Sequence, residues 1–344
     1  MKKENIIWSL LAMMVLAISA SLVACGSDDD DDDNGGSGVS GSMSKNVGVI
    51  DKETGMRVST AASYYNYVYN SNGTLEYISS SYSRYEFSGN KVVYVDDDYY
   101  GDTQTAYVGY NSNGYVSTYK SNNSGEEDNG EKWSESSSAS VTYDSQGHVT
   151  KIAVSFEEKE YETHGVDYEK GTITYTFTWS NNLLKKVEMM EVGEEEEGPF
   201  KYEEKMTLSY NNDANRYLQY AVFADDVFDN SFLEMVSYVG LLGKGPANLP
   251  SSLYRDYYEE YYEDGKKQTY SGTSNHNYSY GFTGVGAISY SYDNSTKYSW
   301  AYDSAKSREG NPVTKAAADD NDMPAARRHA LGLTRHHRHH HVVE

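Results

Sequence analysis

Val108-Gly-Tyr-Asn-Ser-Asn-Gly-Tyr-Val116 ends one apolar segment, turns, and starts another. Asn113-Gly114 suits a two-residue type I′ turn, in which both central residues need positive φ. Asn111, just ahead of it, can bond its own backbone. The same arrangement stands at Tyr67-Val-Tyr-Asn-Ser-Asn-Gly-Thr-Leu75, with Asn72-Gly73 at the turn, and at Val141-Thr-Tyr-Asp-Ser-Gln-Gly-His-Val149. Weaker copies run from Phe177 to Leu184 and from Leu208 to Asp213, and Gly89-Asn90 marks a further hairpin tip between Tyr85 and Tyr94. The flanks alternate with the period of a strand: Tyr65, Tyr67 and Tyr69 share one face, Tyr64, Asn66 and Val68 the other. The pattern predicts an all-β chain, an antiparallel meander bent into a strongly curved sheet or barrel-like domain.

One segment breaks the β rhythm. Phe232, Met235, Val236, Val239 and Leu242 fall at helical spacing, which predicts one short helix over 231–242. Asp229 or Asn230 can cap its start and Gly243 its end. A helix with that apolar face is expected to plug one end of the sheet. Strand-like pieces resume near 268–270, 278–282, 287–292 and 298–302. From residue 304 onward an Ala-rich, charged tail leads to Arg327-Arg328 and the histidines of 336–341, and predicts no folded element.

The start of the chain reads as an export signal over 1–24. Lys2 and Lys3 precede an uncharged stretch from Ile6 to Leu22, somewhat short of the 20 or so apolar residues that span a bilayer. Leu22-Val23-Ala24-Cys25 resembles the lipobox of bacterial lipoproteins, in which the cysteine is lipidated, so Cys25 is the expected anchor. It is the chain's only cysteine, so the domain downstream forms no disulfide within itself. Asp28, Asp29, Asp30, Asp31, Asp32 and Asp33 follow, then a Gly/Ser-rich stretch, which together make 25–54 a solvated tether. The acidic run behind the cysteine looks like the export signal of Bacteroidetes surface lipoproteins. It implies an outer-membrane protein, lipid-anchored and facing the exterior.

A formal net charge of −23 and a pI near 4.7 argue against nucleic acid as a partner, since phosphates call for Lys and Arg. Hydrophobic residues make up 38%, yet Tyr supplies 35 of them against 8 Phe, so the apolar material is amphipathic and suits half-exposed sheets.

Residues 55–303 as a whole, with the lipobox, the Tyr-Asn-x-Asn-Gly meander and Gly240-Leu-Leu-Gly-Lys-Gly-Pro-Ala-Asn-Leu-Pro-Ser251, resemble the DUF4595 family of Bacteroides lipoproteins. That resemblance implies a porin-like fold and no established activity, so it transfers no catalytic residue. Hairpins of the YD-repeat type in other surface proteins look similar. A lipid-facing wall needs a continuous apolar face. Thr172-Ile-Thr-Tyr-Thr-Phe-Thr-Trp179 alternates and suits one, whereas Lys201-Tyr-Glu-Glu-Lys-Met-Thr-Leu208 places charge on both faces, which predicts a water-soluble shell instead of a pore.

No catalytic constellation stands out, which predicts a protein that is not an enzyme and has no cofactor. Asp96, Asp97, Asp98 and Asp102 lack the spacing of a calcium loop and read as a solvated turn, as does the run Glu194–Glu197. His148, His164 and His276 are isolated from one another, and the tail histidines would bind metal only incidentally. The feature that leans toward function is Tyr254-Arg-Asp-Tyr-Tyr-Glu-Glu-Tyr-Tyr262. Tyr254, Tyr257, Tyr258, Tyr261 and Tyr262 mix flat rings with acids, as glycan-binding surfaces do, although tyrosine is equally a cross-strand packing residue. The expected role is a binding module for an extracellular glycan or protein; the alternative is an accessory subunit of an outer-membrane complex.

Overall fold

The computed structural model describes residues 50–304, apart from 52–55, 71–74, 81–82, 97–102, 127–131, 163–164, 217–219, 229–230, 264 and 285. Cys25, the aspartates 28–33, the tether apart from Ile50–Asp51, the Asn72-Gly73 turn, Asp97, Asp98, Asp102, His164, Asp229, Asn230 and the tail beyond Ser304 lie outside the described residues.

Short strands come first: β1 (Ile50–Asp51), β2 (Met56–Ala61), β3 (Tyr65–Tyr69), β4 (Leu75–Ser79), β5 (Ser83–Ser88), β6 (Lys91–Asp96) and β7 (Thr103–Tyr110). Longer ones follow: β8 (Val116–Glu126), β9 (Lys132–Tyr143), β10 (Val149–Glu162), β11 (Gly165–Ser180), β12 (Leu183–Glu195) and β13 (Gly198–Ala214). Two helices, α1 (Ala224–Val227) and α2 (Ser231–Tyr238), precede β14 (Asn248–Glu263) and β15 (Lys266–Phe282). The short β16 (Ile288–Asp293), β17 (Thr296–Ser299) and β18 (Ala301–Ser304) complete the chain path.

From β2 to β17 each strand pairs antiparallel with the next, and β18 returns to pair with β2, Ala301 opposite Thr60 and Ser304 opposite Met56. Between β17 and β18, Trp300 keeps the register with β16, its N–H donating to the Ser289 carbonyl, before β18 pairs with β2. The result is a single antiparallel meander rolled into a nearly closed barrel.

The turn chemistry explains the meander, with one correction. At Asn111–Tyr115 only Gly114 has positive φ (78°), so the expected type I′ turn is a longer one closed by the Gly114 N–H to the Asn111 carbonyl. The Asn111 side-chain oxygen accepts from the N–H groups of Asn113 and Tyr115, holding the loop before the glycine. Asp144 does the same for Gln146 and His148, with Gly147 at φ 92°. A two-residue I′ geometry occurs instead at Asn181-Asn182, with φ 53° and 58°.

Alternate side chains point inward onto the helical insertion. Ile173, Tyr175 and Phe177 of β11 are buried, while Thr172, Thr174, Thr176 and Thr178 form the outer face. The apolar stripe that could have faced lipid is therefore turned inward. On neighbouring strands the outer positions carry Lys186 and Glu188, or Lys201, Glu203 and Lys205. Among these long strands the outside is polar, as water requires.

The insertion fills the barrel interior. Phe232 meets Tyr119 of β8 at 3.9 Å between ring centroids, Phe228 meets Tyr175 of β11 at 5.7 Å, and Tyr238 meets Tyr65 of β3 at 4.9 Å. Strands from well-separated parts of the meander thus converge on one plug. The Tyr67 hydroxyl donates to the Tyr238 carbonyl at 2.8 Å, and the buried Ser237 hydroxyl donates back to Leu233.

The expected plug is present, but as two helices, and α2 stops at Tyr238 instead of Leu242. The cause is Gly240, whose φ of 74° turns the chain left-handed. The N–H groups of Gly240 and Leu241 then close on the carbonyls of Ser237 and Val236, the paired bonds of a Schellman end. Beyond the plug the interior turns polar: Ser121 and Ser137 bond at 2.7 Å, and the buried Glu204 meets Arg255 at 3.3 Å.

Candidate functional site

Strand β14 separates the five predicted tyrosines onto two faces. Leu253 is wholly buried, and Arg255 points inward to Glu204, so Tyr257 and Tyr261 share the inner side. Both pack against the core, with the Tyr257 ring stacked on Tyr202 at 6.4 Å. Tyr254, Tyr258 and Tyr262 occupy the outer face, with Tyr254 47% exposed. At a rise of about 3.3 Å per residue they stand roughly 13 Å apart.

Polar neighbours flank each outer ring. Across on β15 the partners are Asn275, Ser271 and Lys267; on β13, Thr207 and Glu203 stand opposite Tyr254 and Tyr258. The Tyr258 hydroxyl donates to Glu260 at 2.8 Å, a bond that raises the phenol's pKa and keeps it protonated. The row offers three apolar ring faces with donors and acceptors between them. Sequence reasoning singled out the aromatic run but named no strand there, and it missed the division, which burial on one side imposes.

A second cluster joins residues that seem unrelated along the chain. Asp226 comes from α1, His276 from β15 and Asp293 from the end of β16. Register places Tyr278 opposite Asp293, and His276 two residues earlier on the same face of β15. His276, isolated in sequence, is thus in contact with two carboxylates: its Nδ1 lies 3.0 Å from Asp226 Oδ1 and 3.1 Å from Asp293 Oδ1. The Tyr278 hydroxyl donates to the other Asp226 oxygen at 2.6 Å.

Hydrogen bonds to Asp226 and then Asp293 raise the His276 pKa to about 10, so the metal-free ring is an imidazolium at neutral pH. Burial, then the Asp226 charge, pushes the neighbouring Asp225 up to about 7. A small cleft beside Asp225, Asp226 and Asp293 is walled by Tyr278, Tyr298 and Trp300. The remaining described histidine, His148, is structural: its ring stacks on Trp179 at 4.3 Å and bonds Asp144 at 2.9 Å.

No family model matches the chain, and no curated protein does. Two of the solved structures that resemble it are porin-like proteins. One is a porin-like protein from Bacteroides vulgatus ATCC 8482, 13% identical, with a TM-score of 0.41, over 69% of this chain and 92% of that one. The other is a porin-like protein from Bacteroides uniformis ATCC 8492, 14% identical, with a TM-score of 0.23, over 64% of this chain and 94% of that one. Neither likeness assigns a role to a residue.

Proposed function

We propose that this chain is a non-enzymatic binding module, lipid-anchored through Cys25 at the outer face of an outer membrane, which holds an extracellular glycan on Tyr254, Tyr258 and Tyr262. The observation that carries the reading is the outward row of three rings on a barrel whose flanking strands set polar side chains beside them. Sugar rings have apolar faces rimmed by hydroxyls, and a tyrosine ring with polar neighbours complements both. A water-facing barrel needs a separate membrane attachment, which the Cys25 lipobox would supply, in keeping with the resemblance to the DUF4595 lipoproteins.

Binding to a glycan array or to immobilised mucins tests this. Tyr254→Ala or Tyr258→Ala should weaken binding at least about tenfold while leaving the melting temperature within a few degrees. Silence of the folded protein across glycans and mucins would sink the glycan reading. Fatty-acid labelling lost in Cys25→Ala tests the anchor separately.

A further inference from the structure

We propose that Asp226, His276 and Asp293 form a binding site for a divalent cation of the zinc class, which fastens the interior plug to the barrel seam. One ligating atom from each lies within 4.8 Å of the others. The donors are a ring nitrogen and two carboxylates, a set that borderline cations accept. Around a cation with bonds of about 2.0–2.2 Å, neighbouring donors stand roughly 3.0–3.5 Å apart. Here the His276 Nδ1 to Asp226 and Asp293 distances are 3.0 and 3.1 Å, so a cation would take the place of the Nδ1 proton, which leaves to solvent, between donors already close to coordinating separation.

Two further observations favour a ligated cation. Tyr278 donates to the non-ligating oxygen of Asp226, the kind of outer contact that orients a metal-binding carboxylate. The cleft beside the cluster is lined by Asp225, Asp226 and Asp293 and by no Lys or Arg among the described residues, so a cation entering it would meet carboxylates and no Lys or Arg. Arg255, the nearby base, is engaged elsewhere, with Glu204 and the main-chain carbonyl of Asp226. Three protein ligands leave further coordination positions open, and the cleft adjoins two of the ligands.

The consequence is mechanical. Asp226 belongs to the plug, while His276 and Asp293 belong to the paired wall strands β15 and β16. A cation would cross-link the insertion to the wall.

The test compares the EDTA-treated full chain with His276→Gln and Asp293→Asn. Zn²⁺, at about a hundred times its dissociation constant, should raise the wild-type melting temperature by about 5 °C or more, and that of either variant by much less. The tail histidines are common to all three proteins, so the difference reads the barrel site alone. An equal rise in all three, or none in the wild type, would overturn the proposal and leave His276 as an ion-pair partner. Should both variants fail to fold, anomalous diffraction at the zinc edge on wild-type crystals decides. Density bonded to His276 Nδ1 supports the site, and density confined to the tail refutes it.

Discussion

Asp144 and Asn111 occupy equivalent turn positions with different charge, and the comparison isolates what the charge does. Each side-chain oxygen accepts two main-chain N–H groups and so fixes its loop. Burial pushes the Asp144 carboxyl up, but bonds from the His148 and Gln146 main chain and from the His148 ring outweigh it and hold the pKa below its ordinary 3.8. A lowered folded-state pKa adds stability above the unfolded value, lost as pH falls through the folded one. Acid melts below about pH 4 should therefore show a loss that Asp144→Asn lacks, while Asp144→Asn remains near wild type at pH 7 apart from its contact with His148. Asp144→Ala should cost about 1–2 kcal/mol at neutral pH in a urea titration. These turn acceptors were legible in the sequence because everything they touch lies within four residues. His276 was not, because its partners come from another hairpin strand and from the plug.

At the scale of strands, glycines sit under aromatic rings from the neighbouring strand. Gly125 stands opposite Trp133, Gly272 opposite Tyr257, and Gly281 beside Tyr290. The longest such row crosses four strands: Phe156, Gly171, Gly193 and Phe200 are successive partners, with the two rings lying over the two glycines. Each ring covers backbone that a side chain would otherwise shield, and so offsets the weakness of glycine in a strand. A Cβ at Gly171 would stand 2.6 Å from the Val192 carbonyl oxygen and 2.9 Å from the Phe156 ring, and the carbonyl belongs to the ladder and cannot swing away. Gly171→Ala should thus destabilise by about 1–3 kcal/mol, measurable by chemical denaturation, although alanine is ordinarily the better strand residue. Alternation made the strands legible in sequence. The pairing of these glycines with rings was not legible, since the compensating ring comes from another strand.

For the molecule as a whole, the sequence pattern supplied the meander and the plug, and the charges of Lys201–Leu208 pointed to a polar outer wall, but one strand alone left its facing open. Thr172–Trp179 alternates in the same way whether its apolar side meets lipid or a core. The aromatic residues around 220–239, brought inside, decide it. With Ser304 paired to Met56, the described sheet runs almost in a circle. A short linker joining those residues, with new ends cut at the β14–β15 turn around Gly265, where a Cβ would meet nothing within 4 Å, should therefore yield a folded monomer. Near-UV circular dichroism matching the parent would confirm it, and loss of the tertiary signal would show that the order of the strands matters more than their pairing.

The return of β18 to β2 also sets the order of events during folding. Hairpins can form as soon as their own residues are present, but the final ladder joins partners about 240 residues apart. Non-local closure of this kind is slow, and until it happens both terminal edges of the sheet expose unpaired N–H and C=O groups to any passing strand. In a chain crossing a membrane N-terminus first, the missing partner is the last to arrive. The open intermediate would then be the state that an escorting chaperone has to shield, and residues 301–304 would mark the moment when shielding is no longer needed.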